Sequence, residues 1–190
     1  MLLSSKMKRR HIFLVCAFVV TGLILTACRN SMSANSQTMP LKAMNQKVDL
    51  QRFMGDWYVI AHIPTVIEKE AYNAVERYEL AADGTIATTF FFNKGASNGP
   101  LKTYHPRGSI YNSETNAEWR MQFIWPFKAA YLITYLDQDY QTTVIGVPDR
   151  KYAWIMARTK TISPAKLEKM EALLKDSGHD MTQLRRVPQE

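Results

Sequence analysis

The sequence predicts an all-β domain, a meander of short antiparallel strands closing into a sandwich or a barrel, followed by one C-terminal helix. Three observations predict it. From Phe53 to Arg158, runs rich in β-branched and aromatic residues recur, separated by turn signals every 8 to 15 residues. Within those runs apolar and polar residues alternate with the period of two that sends successive side chains to opposite faces of a strand. A 3.6-residue period shows only after Ser163-Pro164.

Eight runs are expected as strands: Gly55 to Ile63, Asn73 to Leu80, Thr85 to Asn93, Tyr104 to Tyr111, Glu118 to Ile124, Tyr131 to Leu136, Thr142 to Val147, and Tyr152 to Thr159. Asp83-Gly84, Asn112 to Asn116, Asp137 to Asp139 and Pro148 to Arg150 read as short turns, which make the strands they join antiparallel neighbours. Pro64 to Tyr72 and Lys94 to Thr103 are longer connections. Ser163 then offers an N-cap before Pro164, Leu167, Met170, Leu173 and Leu174 line one face, and Gly178 is a stop. That pattern predicts a helix over Pro164 to Ser177 docked on the outside of the sheet.

Alternation also selects an inward face. Glu76, Tyr78 and Leu80 share parity, as do Ile86, Thr88, Phe90 and Phe92; Trp119, Met121 and Phe123; and Tyr152, Trp154, Met156 and Arg158. Two structures satisfy this. In a sandwich the aromatics pack against a second sheet and leave no cavity; an eight-stranded barrel either fills with side chains or holds one small ligand. Glu76 is out of character in an apolar lining. It meets a polar head group, pairs with an inward Arg or Tyr, or marks a register one residue out.

Ahead of the domain, Lys8, Arg9 and Arg10 precede the apolar stretch Ile12 to Ala27, the order of an export signal. Sixteen residues at ~1.5 Å rise reach ~24 Å, short of the ~30 Å hydrocarbon core. Leu25-Thr26-Ala27-Cys28 resembles the bacterial lipobox, in which the cysteine is acylated before cleavage. The resemblance implies a signal peptide over residues 1–27 and a lipidated Cys28, attached through chains that each bury methylenes worth ~0.8 kcal/mol. Arg29 stands where an Asp commonly implies inner-membrane retention, so the sorting rule points to the outer membrane's periplasmic leaflet. Residues 28–46, rich in Ser, Asn and Gln, read as a flexible tether reaching ~25 Å, and residues 47–190 as the folded domain.

Composition narrows the function. The 190-residue chain is 46% hydrophobic with 8 Gly and 8 Pro, which excludes collagen-like and low-complexity classes. Its net charge of +7 falls to +3 without the signal segment, and the remaining basic residues are interleaved with acidic ones. No stripe is left to neutralise a row of phosphates, so nucleic acid is not an expected partner.

Gly55-Asp56-Trp57-Tyr58 resembles the G-x-W signature of the lipocalins. Asp137-Gln138-Asp139-Tyr140 is similar to the family's second signature, and Arg158 stands where the third places an arginine. With the lipobox, QRFMGDWYVIAHIP and PDRKYAWIMARTKTIS resemble the bacterial outer-membrane lipoprotein lipocalins of the apolipoprotein-D-like branch, over residues 48 to 188. Asp137 departs from the Thr frequent in animal members. The resemblance implies an eight-stranded antiparallel up-and-down β-barrel with the C-terminal helix packed outside. In that topology strand one begins where strand eight ends, so Gly55, Trp57, Asp139, Tyr140 and Arg158 are expected at one closed end. Arg158 over the Trp57 indole is read as its plug, with a ligand-binding charge as the alternative. The opposite end carries Trp125 and Phe127, expected either as exposed anchors for lipid or a partner, or as a cover over the mouth.

Three function classes follow. A binding protein would line its barrel with Glu76, Tyr78, Phe90, Trp119, Met121, Phe123, Ile133, Tyr135, Tyr152 and Trp154; the resemblance implies a fatty acid or lysophospholipid as ligand, stored or moved in the envelope. An enzyme has little support. His62, His105 and His179 show no metal-ligand spacing, no H-E-x-x-H or nucleophile elbow occurs, and the one mature cysteine is the lipid attachment site, so no catalytic residue, metal or cofactor is expected. A filled barrel acting as an envelope interaction module is the third class.

Overall fold

The computed structural model describes residues 39–190. The expected signal peptide, Cys28 and the expected tether up to residue 38 lie outside the described residues.

The strands form as the alternation requires, and hydrogen bonding closes them into a barrel. In chain order they are β1 (Gly55–Ile63), β2 (Ala71–Leu80), β3 (Ile86–Lys94), β4 (Leu101–Tyr104), β5 (Arg107–Asn112), β6 (Glu118–Ile124), β7 (Phe127–Leu136), β8 (Thr142–Gly146), β9 (Ala153–Ala157) and β10 (Arg185–Arg186). Neighbours pair antiparallel, and β9 returns to β1, with His62 opposite Trp154 and Tyr58 opposite Ala157. The run expected as one strand from Tyr104 to Tyr111 is two. Pro106, which has no N–H to donate, separates β4 from β5, and both pair with β3 as one interrupted stave, giving eight staves around the barrel.

The C-terminal segment adds to the wall. β1 and β2 pair only from Gly55–Tyr78 to Tyr58–Val75 and then separate. Into that seam comes β10, pairing Ala61 with Arg186. Val187 N–H donates to Ile60, Asn73 N–H to Pro188, and the Gln189 amide to the carbonyls of Val59 and Ala74.

Helix α1 (Leu50–Phe53) precedes β1, and α2 (Pro164–Asp176) follows β9. Ser163 caps α2 by accepting from Lys166 N–H, with Pro164 in the first turn. Leu167, Met170 and Leu174 are buried against Ile60, Ala61, Val144, Ile155 and Ala157, the outward residues of β1, β8 and β9. All of β8 is therefore buried, its inner face by the barrel interior and its outer face by α2. Residues from Leu41 onward, expected as the end of the tether, belong to the barrel body: Leu41, Met44 and Val48 donate backbone hydrogen bonds to Pro148, Ile133 and Thr115.

One end is built shut. α1 crosses beneath the barrel and sends Phe53 inside, where it packs on Trp57 (5.0 Å) and edge-on to Trp119 (5.4 Å). Both indoles spend their N–H groups locally, Trp57 on the Phe53 carbonyl and Trp119 on that of Asn116. Arg158 lies over the Trp57 ring at 3.9 Å and donates to the carbonyls of Asp56, Arg52, Phe53 and Tyr140. Gly55 adopts φ +94°, a conformation that disfavours a side chain, and a Cβ there would meet the Arg158 guanidinium at 3.4 Å. Tyr140 completes the seal, its hydroxyl accepting from Asp49 N–H and its ring covered by Arg52 at 4.0 Å. Asp139 is exposed; the acid that shapes the turn is Asp137, which accepts from Gln141 N–H, Thr142 N–H and the Thr142 hydroxyl. Burial works against its charge, but those bonds outweigh it and hold the carboxyl below the usual range.

Arg158→Lys keeps the charge but cannot reach four carbonyls with a planar fork. It is expected to lower stability by about 2–3 kcal/mol in urea unfolding, with the slope on denaturant unchanged.

Candidate ligand-binding site

The interior has two parts. Next to the closed end it is solid: Phe53, Trp57, Tyr78 and Trp119 are fully buried and in ring contact, and Tyr131 stacks on Trp119 at 5.6 Å. Edge-to-face and offset contacts of this kind add to the area they bury. Above the floor is a cavity of about 350 Å³. Its wall is mainly apolar, drawn from Phe90 on β3, Met121 and Phe123 on β6, Ala129 and Tyr131 on β7, and Trp154 on β9. The Thr65 to Glu68 loop, His105-Pro106 and Tyr152 line its upper part.

The β registers explain the split. Ala129 stands opposite Met121 and Tyr131 opposite Trp119, so one face of the β6–β7 pair steps from bulky aromatics near the floor to a methyl group near the mouth. Where the side chains shrink, space opens. Around the rim, Val66, Phe123, Ile124, Trp125 and Phe127 are exposed, with Trp125 at 82% and Phe127 at 75%. These two rings leave the mouth uncovered.

Polar groups enter the greasy wall at one place. Glu68 folds back from the β1–β2 loop until it is 2% exposed, accepting from Thr65 N–H (2.9 Å) and from the Trp154 indole (3.1 Å). His62 Nδ1 lies 3.6 Å from the same carboxylate, within ion-pair range but beyond a hydrogen bond. Burial pushes the Glu68 pKa up, and the His62 and Thr65 contacts more than offset it, so the group stays below the ordinary carboxyl value. Glu76 has no such support. Burial foremost, and the negative Glu68 next, push its pKa up to about 8, against a weaker opposing hydrogen bond from Tyr78. Beneath it the Tyr78 and Tyr131 hydroxyls bond to each other, and burial raises both of their pKa values.

Of the ten residues expected along the ligand space, Glu76, Phe90, Met121, Phe123, Tyr152 and Trp154 line the cavity. Tyr78, Trp119 and Ile133 point into the barrel but lie in the packed core outside that lining. Tyr135 is a correction: it faces outward. A bulge puts Ile133 opposite Ile145 but Tyr135 opposite Val144, and the extra residue inverts the strand. Tyr135 therefore packs under α2, where its hydroxyl accepts from Lys169 at 3.3 Å. Sequence reasoning missed Tyr131, Ala129 and Glu68. Tyr131 and Ala129 share the parity of Ile133, a signal that was available; Glu68, between Ile67 and Lys69 in a loop, had the look of a solvated charge.

Glu76 makes stability pH-dependent. Between the ordinary value of 4.5 and about 8 the folded chain retains a proton that the unfolded chain has released, so stability falls as pH rises across that window and levels off above it. Glu76→Gln removes the effect. In denaturation series the variant should match the wild type below the window and exceed it by on the order of 5 kcal/mol above it.

The family model for a lipocalin-like domain matches residues 48–189. Temperature-induced lipocalin-1 of Arabidopsis thaliana is 31% identical over 153 residues, covering 75% of this chain and 80% of the relative. Outer membrane lipoprotein Blc of Citrobacter freundii is 28% identical over 172 residues, 90% of this chain and 93% of its own length. Among solved structures, apocrustacyanin C2 aligns with a TM-score of 0.62 over 80% of this chain and 91% of its own, at 13% identity, a likeness of fold alone. The closed barrel with its outer C-terminal helix agrees with these matches: the chain belongs to the lipocalins, binders of small hydrophobic molecules.

Proposed function

We propose that the protein is a membrane-anchored lipocalin that holds a fatty acid or lysophospholipid-like ligand in its barrel, for lipid storage or transport in the bacterial envelope. The observation that carries this reading is the cavity of about 350 Å³, apolar over most of its wall and open at one end only. An acyl chain matches it. Burying methylenes there contributes ~0.8 kcal/mol each, and the packed floor limits how deep a chain can go. The exposed Val66, Phe123, Ile124, Trp125 and Phe127 around the mouth form the surface across which such a chain would pass between barrel and bilayer.

The lipobox supplies the anchor at Cys28, and the relative's name, Outer membrane lipoprotein Blc, supports placement in the outer membrane, with the periplasmic face following from Arg29. Binding and delivery need no bond making. The chain's own contribution is shape, dryness and a fixed floor.

Native mass spectrometry of the chain purified from its own envelope, followed by lipid extraction, should return a lipid at one per barrel. Ala129→Trp places an indole across the upper cavity. That variant should bind a fluorescent fatty acid at least about tenfold more weakly while unfolding at the wild-type temperature. Equal binding by variant and wild type would place the ligand elsewhere. Cys28→Ala should release the protein from the membrane fraction and remove the acyl mass from it.

A further inference from the structure

The cavity holds two acids and no permanent cation. Glu68 and Glu76 both line it, and its wall includes no lysine or arginine. Glu76 is 7% exposed, and among the described residues no cationic side chain pairs with it. The titratable groups that face this place are His62 from β1, Glu68 from the loop, Tyr78 on the same strand and Tyr131 from β7; Tyr104, His105 and Tyr152 complete the titratable part of the wall. At neutral pH Glu68 carries the negative charge, while Glu76 keeps its proton until the pH nears 8 or a cation binds beside it.

That chemistry sorts ligands by the sign of their polar end. A carboxylate carried down to Glu76 would meet the ionised Glu68 with no cation to receive it, in a dry site where like charges repel strongly. A cationic nitrogen would meet two carboxyl groups set among aromatic side chains. Trp154 and Tyr131 lie 6.2 Å apart, Trp154 and Tyr152 6.5 Å, and all three rings line the cavity. The rim beyond is apolar, which suits a tail and not a charge.

We propose that Glu76, backed by Glu68 and bordered by Trp154 and Tyr131, is a subsite for the cationic nitrogen of a single-chain alkylammonium ligand, whose tail runs up through the apolar part of the cavity to the mouth. The inference rests on the barrel being a ligand container but not on the ligand being a fatty acid. Binding a cation favours the ionised form of Glu76, so the site binds more tightly as pH rises and releases a proton on loading.

The test uses three probes of equal chain length, decyltrimethylammonium, decanol and decanoate. Each is titrated calorimetrically into the full chain held in bilayer nanodiscs, with empty nanodiscs as the blank. The ammonium should bind about tenfold more tightly than the alcohol, and Glu76→Gln should bring the two affinities together by weakening the ammonium. In the wild type, ammonium affinity should climb as pH passes through about 8, and alcohol affinity should not. Decanoate or decanol binding as tightly as the ammonium, or a preference that survives Glu76→Gln, overturns the subsite and leaves the container reading standing. If none of the three probes binds, the container reading itself fails.

Discussion

The closed end depends on one guanidinium. Arg158 is a residue for which no other side chain substitutes, because its planar fork serves several carbonyls at once while its face lies on an indole. The carbonyls it satisfies belong to α1, the start of β1 and the β7–β8 turn, and the farthest of them, that of Arg52, lies 106 residues from Arg158. Arg52, donating to the Gln138 carbonyl, ties α1 to the same turn a second time. With the Arg158 guanidinium in place, α1 is fixed across the barrel, Phe53 is fixed inside it, and the aromatic floor has something to stack on.

The floor in turn decides where the hollow can be. An eight-staved barrel has little interior to spare, and filling one half with Phe53, Trp57, Tyr78 and Trp119 leaves the other half free to be emptied. Cohesion and capacity are thus assigned to opposite ends of the same strands. Glu76 sits where the two regions meet, and it works against the fold's own energetics: a buried carboxyl without a cationic partner is a stability loss at neutral pH that glutamine at the same position would avoid. Departures of that kind, where local chemistry opposes the surrounding packing, are most often found at functional positions.

Much of this was legible in the sequence, and the failures share a cause. Alternation in β3, β6 and β9 put Phe90, Met121, Trp154 and Met156 inside, because β3 and β9 keep a period of two where they were read and β6 keeps it as far as Met121, ahead of its bulge. Tyr135 was misplaced because nothing in TYL announces a bulge; the inversion exists only in how β7 meets β8. The loop carboxylate Glu68 was invisible for a related reason. Its burial is set by Trp154 and His62, residues on two other strands, and no local pattern encodes a partner 86 residues away. The second signature was read at Asp139 although the bonds are made by Asp137, since spacing identifies the turn but not which of its two acids points inward.

The seam between β1 and β2 carries a consequence for how the molecule is assembled. Gln189 bridges carbonyls on both sides of it, reaching Val59 across 130 residues of chain and Ala74 across 115. Contacts of such high sequence separation are made late, after the entropy of a long loop has been surrendered. Closing the wall between β1 and β2 therefore depends on residues more than a hundred positions further along the chain: without Val187 and Gln189, the carbonyls of Ile60, Val59 and Ala74 at the seam lose their donors.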